Sequence, residues 1–321
     1  IWFSQPAGLS RTARDRVQGR YGPVGNVRIS SRDWKENMRA NRAMLSPAVS
    51  APAIAGKSSA TLSDQFGRRL DYLRLAVTDR CNLRCHYCMP AEGLPLTPRT
   101  EILTWEEMLR LCRVLCEIGI RKVRLTGGEP LVRKGLLQFL ADLRSLAPAP
   151  AVYLTTNGTL LAGHLQKLNS LGITRLNISI DSMRPQTYAR IARRDAFEEV
   201  WQAVNAADAA GFALKLNVVV LGGVNEVEIP DFVALTKERN WTVRFIEAMP
   251  FDGQGGGTET RIEGDEFLRR IRQHYELQTV TSASSGVDSL YQVPGYRGRI
   301  SIIFGHSRRF CGSCSRLRIS A

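Results

Sequence analysis

Long apolar runs, aromatic residues and acids are what this sequence is short of. No apolar stretch reaches 18 residues, which excludes a membrane-spanning helix. Aromatics make up 7% and are not interleaved with basic residues, so the stacking pattern of a nucleic-acid binder is missing. No G-x4-G-K-[ST] loop occurs, so a phosphate would need side-chain cations instead. Acids number 30 against 44 Lys and Arg, a net charge of +14 over 321 residues. Residues 1–60 hold ten of the bases and three of the acids, which places half of that excess in the first fifth of the chain. The remaining surplus is mild, of the size that a phosphate-bearing small molecule would explain. With 44% hydrophobic and 23% charged residues, the chain reads as globular, long enough for one large α/β domain and an appendage.

Residues 1–65 are rich in Arg, Ser, Ala and Gly, poor in acids, and show no sustained helical or strand period. That composition predicts an organelle transit peptide, with a disordered leader as the alternative. The mitochondrial matrix is the expected address, ahead of plastid or cytosol. The first residue is Ile1, from which a missing N-terminus is expected. The seven cysteines lie at 81, 85, 88, 112, 116, 311 and 314, an odd number that argues against a disulfide framework. Cys112 and Cys116 fall with Met108, Leu111 and Leu115 on one face of a helix opened by a Thr104/Glu107 capping box, which predicts buried core thiols.

From residue 70 short β-rich runs alternate with amphipathic segments. Strands are predicted at 72–78, 122–126, 152–156, 175–180, 213–221 and 242–247, and helices at 104–118, 135–146, 160–171, 197–210 and 229–239. Repeated β-then-α units imply parallel strands with right-handed crossovers. Polar residues collect at the strand C-termini, at Thr78, 126–129, 155–158, 179–181 and 247–249. Those ends converge at the mouth of a parallel barrel, so an incomplete (β/α)6 TIM-type barrel is predicted over an open doubly wound sheet. The barrel is expected over 66–290, with a C-terminal segment at 291–321.

Cys81, Cys85 and Cys88 form C-x3-C-x2-C directly after the first strand. Three closely spaced thiolates can hold three irons of a [4Fe–4S] cube and leave the fourth open. Zinc is the alternative, although its usual spacing is C-x2-C, paired with a second such unit. The run Cys81-Asn82-Leu83-Arg84-Cys85-His86-Tyr87-Cys88 resembles the signature of the radical S-adenosylmethionine (SAM) superfamily, and Thr126-Gly127-Gly128-Glu129-Pro130 is similar to its glycine-glycine-glutamate motif. There the glycines would let backbone approach a ligand, and exposed carbonyls or Glu129 could accept from an ammonium group.

A narrower resemblance runs from about residue 66 to the last. Phe66-Gly67-Arg68, the segment Leu73-Arg74-Leu75-Ala76-Val77-Thr78-Asp79-Arg80-Cys81, Asn177-Ile178-Ser179-Ile180-Asp181, Arg244-Phe245-Ile246-Glu247 and Phe310-Cys311-Gly312-Ser313-Cys314-Ser315-Arg316-Leu317-Arg318 resemble the GTP 3′,8-cyclase family of molybdenum cofactor biosynthesis, in a eukaryotic-type, C-terminally truncated form. The resemblance implies a lyase that binds SAM and two [4Fe–4S] clusters. It implies that a 5′-deoxyadenosyl radical takes hydrogen from the GTP ribose to give (8S)-3′,8-cyclo-7,8-dihydroguanosine 5′-triphosphate. It assigns Cys81, Cys85 and Cys88 to the first cluster, and Cys311 and Cys314 to a second that binds guanine and lacks its third ligand here. Tyr87, Gly128, Ser179 and Met249 match SAM-contacting positions. Arg74, Arg124, Thr155, Lys215, Arg316, Leu317 and Arg318 match GTP-binding ones, with Arg316 and Arg318 also catalytic. Arg316 and Arg318 are two apart on an extended segment and so share a face. The implied downstream partner is a cyclic pyranopterin monophosphate synthase, with no nucleic acid or membrane partner, an unidentified electron donor and a homodimer as the candidate oligomer. The glycine-rich run at 253–257 departs from the family pattern. The competing readings are a radical SAM enzyme with another substrate and a zinc- and RNA-binding protein.

Overall fold

In the computed structural model, residues 62–65, 67–249, 261–280, 288–308 and 314–320 are described. The six predicted strands are β1 (Tyr72–Ala76), β2 (Lys122–Thr126), β3 (Ala151–Thr156), β4 (Arg175–Ser179), β5 (Ala213–Val220) and β6 (Thr242–Glu247). They pair in parallel in chain order, as the βα alternation predicts. The five predicted helices are α1 (Trp105–Glu117), α2 (Leu136–Arg144), α3 (Leu165–Ser170), α5 (Phe197–Ala209) and α6 (Ile229–Ala234). Among the described residues two helices escaped the sequence reading, α4 (Pro185–Ala192) and α7 (Gly264–Arg272). Among the described residues no helix is long and apolar enough to cross a membrane.

The C-terminal segment enlarges this arc from both sides. After β7 (Gln278–Val280), β8 (Ser289–Gln292) runs antiparallel to β9 (Arg299–Ile303), which pairs in parallel with β6. β10 (Arg316–Ile319) crosses to the far edge and pairs in parallel with β1. The sheet order is β10-β1-β2-β3-β4-β5-β6-β9-β8-β7, an open partial barrel with eight strands in its parallel part.

Each strand divides its side chains by parity. Leu73, Leu75, Val123, Leu125, Leu154, Leu214 and Leu216 are buried in the main core with the helices. Tyr72, Arg74, Arg124, Tyr153, Thr155, Lys215 and Arg244 alternate with them and stay half-buried. Strands of a fully packed parallel barrel are apolar on both faces. Here the half-buried face carries polar side chains from β1, β2, β3, β5 and β6, so it is not packed as an apolar core. On α1 the capping box forms as predicted: Glu107 N donates to Thr104 Oγ1 (3.2 Å) and Thr104 N to Glu107 Oε2 (2.8 Å). Cys112 and Cys116 are buried in the core behind it, and burial pushes the Cys112 thiol up to about 12.

Candidate active site

The cysteine loop leaves β1 through residues 77–80 and is clamped from two sides. On one side Val77 N donates to Thr126 O (2.8 Å), Gly128 N to Thr78 O (2.8 Å) and Glu129 N to Arg80 O (2.8 Å). The approach is so close that a Cβ on Gly127 would sit 2.3 Å from Thr78 O, and one on Gly128 2.1 Å from Arg80 O. The space that glycine frees is thus filled by the cysteine loop. Glu129, read from sequence as an acceptor for a ligand ammonium, is fully buried instead. Its carboxylate accepts from Asn157 N (2.6 Å), Thr156 Oγ1 (2.8 Å) and Leu131 N (3.0 Å), which ties the ends of β2 and β3 together. Burial pushes this carboxyl up to about 7 against those hydrogen bonds.

On the other side stands α4. Arg84 N donates to Ala192 O (3.1 Å) and His86 N to Ile191 O (3.0 Å), so the loop caps the last carbonyls of the helix. Arg193 closes α4 in the left-handed region, at φ 53°, and its guanidinium donates to Met89 O (2.8 Å). Within the loop Cys88 N and Met89 N both donate to Cys85 O (2.9 Å), and Leu83 N to Cys81 Sγ (3.4 Å).

Burial raises the pKa of all three thiols, that of Cys85 furthest and that of Cys88 to about 11; the charges of Cys88 and Cys81 further oppose ionisation of Cys85, and that of Cys81 opposes ionisation of Cys88. A metal centre here would therefore displace protons as it binds. Among the described residues no three His, Cys, Asp or Glu side chains are gathered tightly enough to hold a single metal ion. Three soft thiols on one loop, with Cys112 and Cys116 buried elsewhere in the core, fit an iron–sulfur cube with an open position.

Cys85, Tyr87, Ser179, Asp181 and Tyr188 line one cavity of about 20 Å³. Tyr87 OH donates to Asp181 Oδ2 (2.8 Å) and Val219 N to Asp181 Oδ1 (2.8 Å); burial lifts the Asp181 carboxyl to about 6. Two of the predicted cofactor positions, Tyr87 and Ser179, thus meet beside the cysteine loop. Gly128 lies against that loop's backbone. Met249, past the end of β6, packs on Gly305, where a Cβ would come within 2.6 Å of Met249 Cε.

The predicted cations come together on the concave face. Register places Arg74 directly between Arg318 on β10 and Arg124 on β2, with Arg316 beside Tyr72 one step earlier. Like charges directly opposite each other on neighbouring strands repel. Burial, then Arg318 and Arg316, push the Arg74 guanidinium down to about 10. Arg124 Nη1 donates to Thr155 Oγ1 (3.3 Å), which brings that predicted hydroxyl into the group. Among the described residues the Nε atoms of Arg316 and Arg318 are buried without a hydrogen-bond partner. Leu317 has the opposite parity and its side chain packs against the apolar core, so only its backbone borders this face. Cys314 is buried just before β10, while Cys311 and the glycine-rich run 253–257 lie outside the described residues.

Two members of the group were not read from sequence. Arg244 Nη2 donates to Asp288 Oδ2 (2.6 Å), Ser301 Oγ donates to the same oxygen (2.8 Å), and Lys215 Nζ lies 3.9 Å from it. Arg244 could have been found from the polar–apolar alternation of β6; nothing local marks Asp288. Glu247 was read from sequence only as one of the polar strand-end residues, and its clamping role was not. It accepts from Gly264 N (2.5 Å), His306 N (2.7 Å), Ser307 N (2.8 Å) and Ser307 Oγ, and so pins the chain between β9 and Cys314 to the end of β6.

Comparison with known proteins fits this geometry. The model of the radical SAM superfamily matches residues 75–236, and that described as Molybdenum Cofactor Synthesis C matches 241–321. A protein of Geobacter sulfurreducens named GTP 3′,8-cyclase is 46% identical over 262 residues, 81% of this chain and 80% of its own. This chain belongs to the GTP 3′,8-cyclase family. Within the family, molybdenum cofactor biosynthesis protein 1 of Bos taurus is 44% identical over 269 residues, 83% of this chain and 42% of its own. The Drosophila melanogaster protein of the same name is 41% identical over 266 residues, again 83% of this chain but 47% of its own. The chain thus spans less than half the length of these two animal relatives. Streptococcus suis SuiB, solved bound to S-adenosylmethionine, shares the fold at a TM-score of 0.51 and 15% identity, covering 82% of this chain and 56% of its own.

Proposed function

We propose that the protein is a GTP 3′,8-cyclase that converts GTP to (8S)-3′,8-cyclo-7,8-dihydroguanosine 5′-triphosphate, the first step of molybdenum cofactor biosynthesis. The observation that carries the substrate is the Arg318–Arg74–Arg124 row. Among the described residues none of the three, nor Arg316, forms an ion pair, and two buried guanidinium nitrogens wait for an acceptor. An oligophosphate supplies several acceptor oxygens and cancels the mutual repulsion of the arginines.

In this reading Cys81, Cys85 and Cys88 hold a [4Fe–4S] cluster, and Tyr87, Gly128, Ser179 and Met249 border SAM. When bound, the pair supplies the one-electron chemistry that cleaves SAM and starts hydrogen abstraction. The chain's own part is to exclude water and to fix two ligands against each other. Arg74, Arg124, Lys215 and Arg244 hold the phosphates, Thr155 orients Arg124, and Arg316 and Arg318 reach in from the opposite edge. Asp288 keeps Arg244 and Lys215 in place and offsets one positive charge. Cys314 belongs with Cys311 to a second cluster that faces the base. The product passes to a cyclic pyranopterin monophosphate synthase, and residues 1–65 direct the chain to mitochondria, a point that import of a fluorescent fusion tests.

The test of the activity is anaerobic reconstitution followed by incubation with SAM, GTP and dithionite. GTP-dependent formation of both 5′-deoxyadenosine and the cyclised nucleotide is expected, and both are expected to vanish in Cys85→Ala. SAM cleavage indifferent to GTP would move the protein to another radical SAM substrate. Iron-free protein carrying zinc would end the radical reading.

Lys215 adds a pH signature. Burial and Arg244 push its ammonium down to about 7, with Asp288 pulling the other way. Above pH 7 the empty site holds it mostly neutral, so a bound phosphate must draw in a proton. GTP affinity is therefore expected to fall as pH rises from 7 to 9, by up to about tenfold per unit for one linked proton. Titration calorimetry in buffers of different ionisation enthalpy measures that uptake. Lys215→Met is expected to flatten the profile; a profile of unchanged slope would show that another group titrates.

A further inference from the structure

The turn that follows β3 carries a closed ring of side-chain hydrogen bonds that reaches the cysteine loop. Asn82 Nδ2 donates to Thr159 Oγ1 (2.8 Å), Thr159 Oγ1 donates to Asn157 Oδ1 (2.8 Å), and Asn157 Nδ2 donates back to Asn82 Oδ1 (2.8 Å). The backbone decides which way the Asn157 amide faces. Thr159 N can only donate, and it meets Asn157 Oδ1 at 3.1 Å, so Nδ2 is the atom turned to the loop. An amide nitrogen carries two protons. Asn82 takes one, and the other is directed at Cys81 Sγ, 3.7 Å away. A thiol is a weak acceptor, but a thiolate is anionic and holds such a bond more strongly. The donor is also anchored from outside the loop, since Asn157 N donates to Glu129 Oε2 (2.6 Å), the buried carboxylate between β2 and β3. Neither SAM nor GTP binding, as described above, uses the Asn157 side chain, although it lines the same cavity as Cys85, Tyr87 and Ser179.

We propose that the Asn157 side-chain amide donates a hydrogen bond to the Cys81 sulfur of the loaded cluster, and that this bond raises the cluster's reduction potential. The inference rests on the assignment of Cys81, Cys85 and Cys88 as cluster ligands. Hydrogen bonds to cluster sulfurs favour the more negative, reduced state. Leu83 N, 3.4 Å from the same sulfur, is a donor from within the loop, and Asn157 adds one from the neighbouring βα unit. Asn157 is a positioning residue: it acts on the iron through Cys81, while Asn82 and Thr159 keep its amide from turning over.

The experiment compares reconstituted wild type with Asn157→Leu, which is close in size, uncharged and without the donor, and with Thr159→Val. The second variant breaks the ring but keeps the backbone N–H that orients Asn157. Each protein is titrated with dithionite, a one-electron donor to the cluster, and read by electron paramagnetic resonance on the signal that SAM perturbs. Equal iron content is expected. In Asn157→Leu the ratio of reduced to oxidised cluster at fixed potential is expected to fall about tenfold, ~59 mV for a one-electron couple. Thr159→Val is expected to stay at the wild-type potential. An unchanged potential in Asn157→Leu would overturn the proposal. So would an equal shift in Thr159→Val, which would make the ring, not the donor, responsible. Wild type grown with asparagine labelled with 15N in its side-chain amide gives a readout that needs no variant at position 157. A 15N coupling to the reduced cluster is expected in the pulsed spectrum, and its absence would overturn the proposal even if Asn157→Leu loads no iron. Wild type that takes up no iron defeats the cluster assignment, and the proposal with it, a result distinct from a loaded cluster whose potential does not move.

Discussion

Gly128→Ala is expected to abolish iron loading at the cysteine loop while leaving most of the barrel folded. The added methyl would lie 2.1 Å from Arg80 O and 2.5 Å from Arg80 C, both backbone atoms that no rotamer change can move. Overpacking against rigid neighbours costs about 1–3 kcal/mol and can exceed that. Here the cheapest relief is to push the segment 78–80 away, and Cys81 goes with it. Iron per chain after reconstitution is the readout, with far-ultraviolet circular dichroism to show that the fold persists. Gly163→Ala is the control, since a Cβ there meets nothing within 4 Å. Normal iron uptake by Gly128→Ala would mean that the loop slides freely along the end of β2.

Glu247→Ala is expected to produce the largest loss of stability and, with it, of GTP binding. Three backbone N–H groups and one hydroxyl would lose a charged acceptor, and each unsatisfied buried donor costs about 1–3 kcal/mol. Because His306 and Ser307 are partly solvated, a total on the order of 3–4 kcal/mol is expected. The damage should be selective. Glu247 anchors the chain that leads to β10, which carries Arg316 and Arg318, whereas the cysteine loop rests on β2 and α4. Iron uptake at Cys81, Cys85 and Cys88 should survive while GTP affinity collapses. Thermal denaturation and calorimetry would separate the two effects, and a melting temperature equal to wild type would dismiss the clamp.

The parallel core was legible because β-branched runs and amphipathic helices alternate in order, and each predicted strand lies within two residues of the observed one. The short helix α4 was not legible. It spans Pro185–Ala192, has no side-chain N-cap, and ends on Arg193 in a conformation that a glycine would have signalled. Strand spacing placed Arg74, Arg124, Lys215, Arg316 and Arg318 on one side, but the rows they form depend on β10 crossing to β1, which no local pattern announces. Glu129 was misjudged for a related reason. Its three donors come from Leu131 beside it and from Thr156 and Asn157 on the next unit, so its burial appears only when β2 and β3 are set in register. Asp288 likewise finds Arg244 across 44 positions of sequence, a contact with no periodicity behind it.

The pairing of β10 with β1 has a kinetic meaning. It joins the first strand of the barrel to the last described one, a contact of very long sequence separation, and such contacts form late because chain entropy must be lost before they repay it. The βα units can assemble as they leave the ribosome, yet β1 keeps an open hydrogen-bonding edge until the end of the sheet arrives. The arginine row is therefore completed last. A chain stalled or cleaved before Arg316 would fold a barrel able to hold its cysteine loop while lacking Arg316 and Arg318 of its anion site, and amide exchange along β1 would report which of the two states a given molecule had reached.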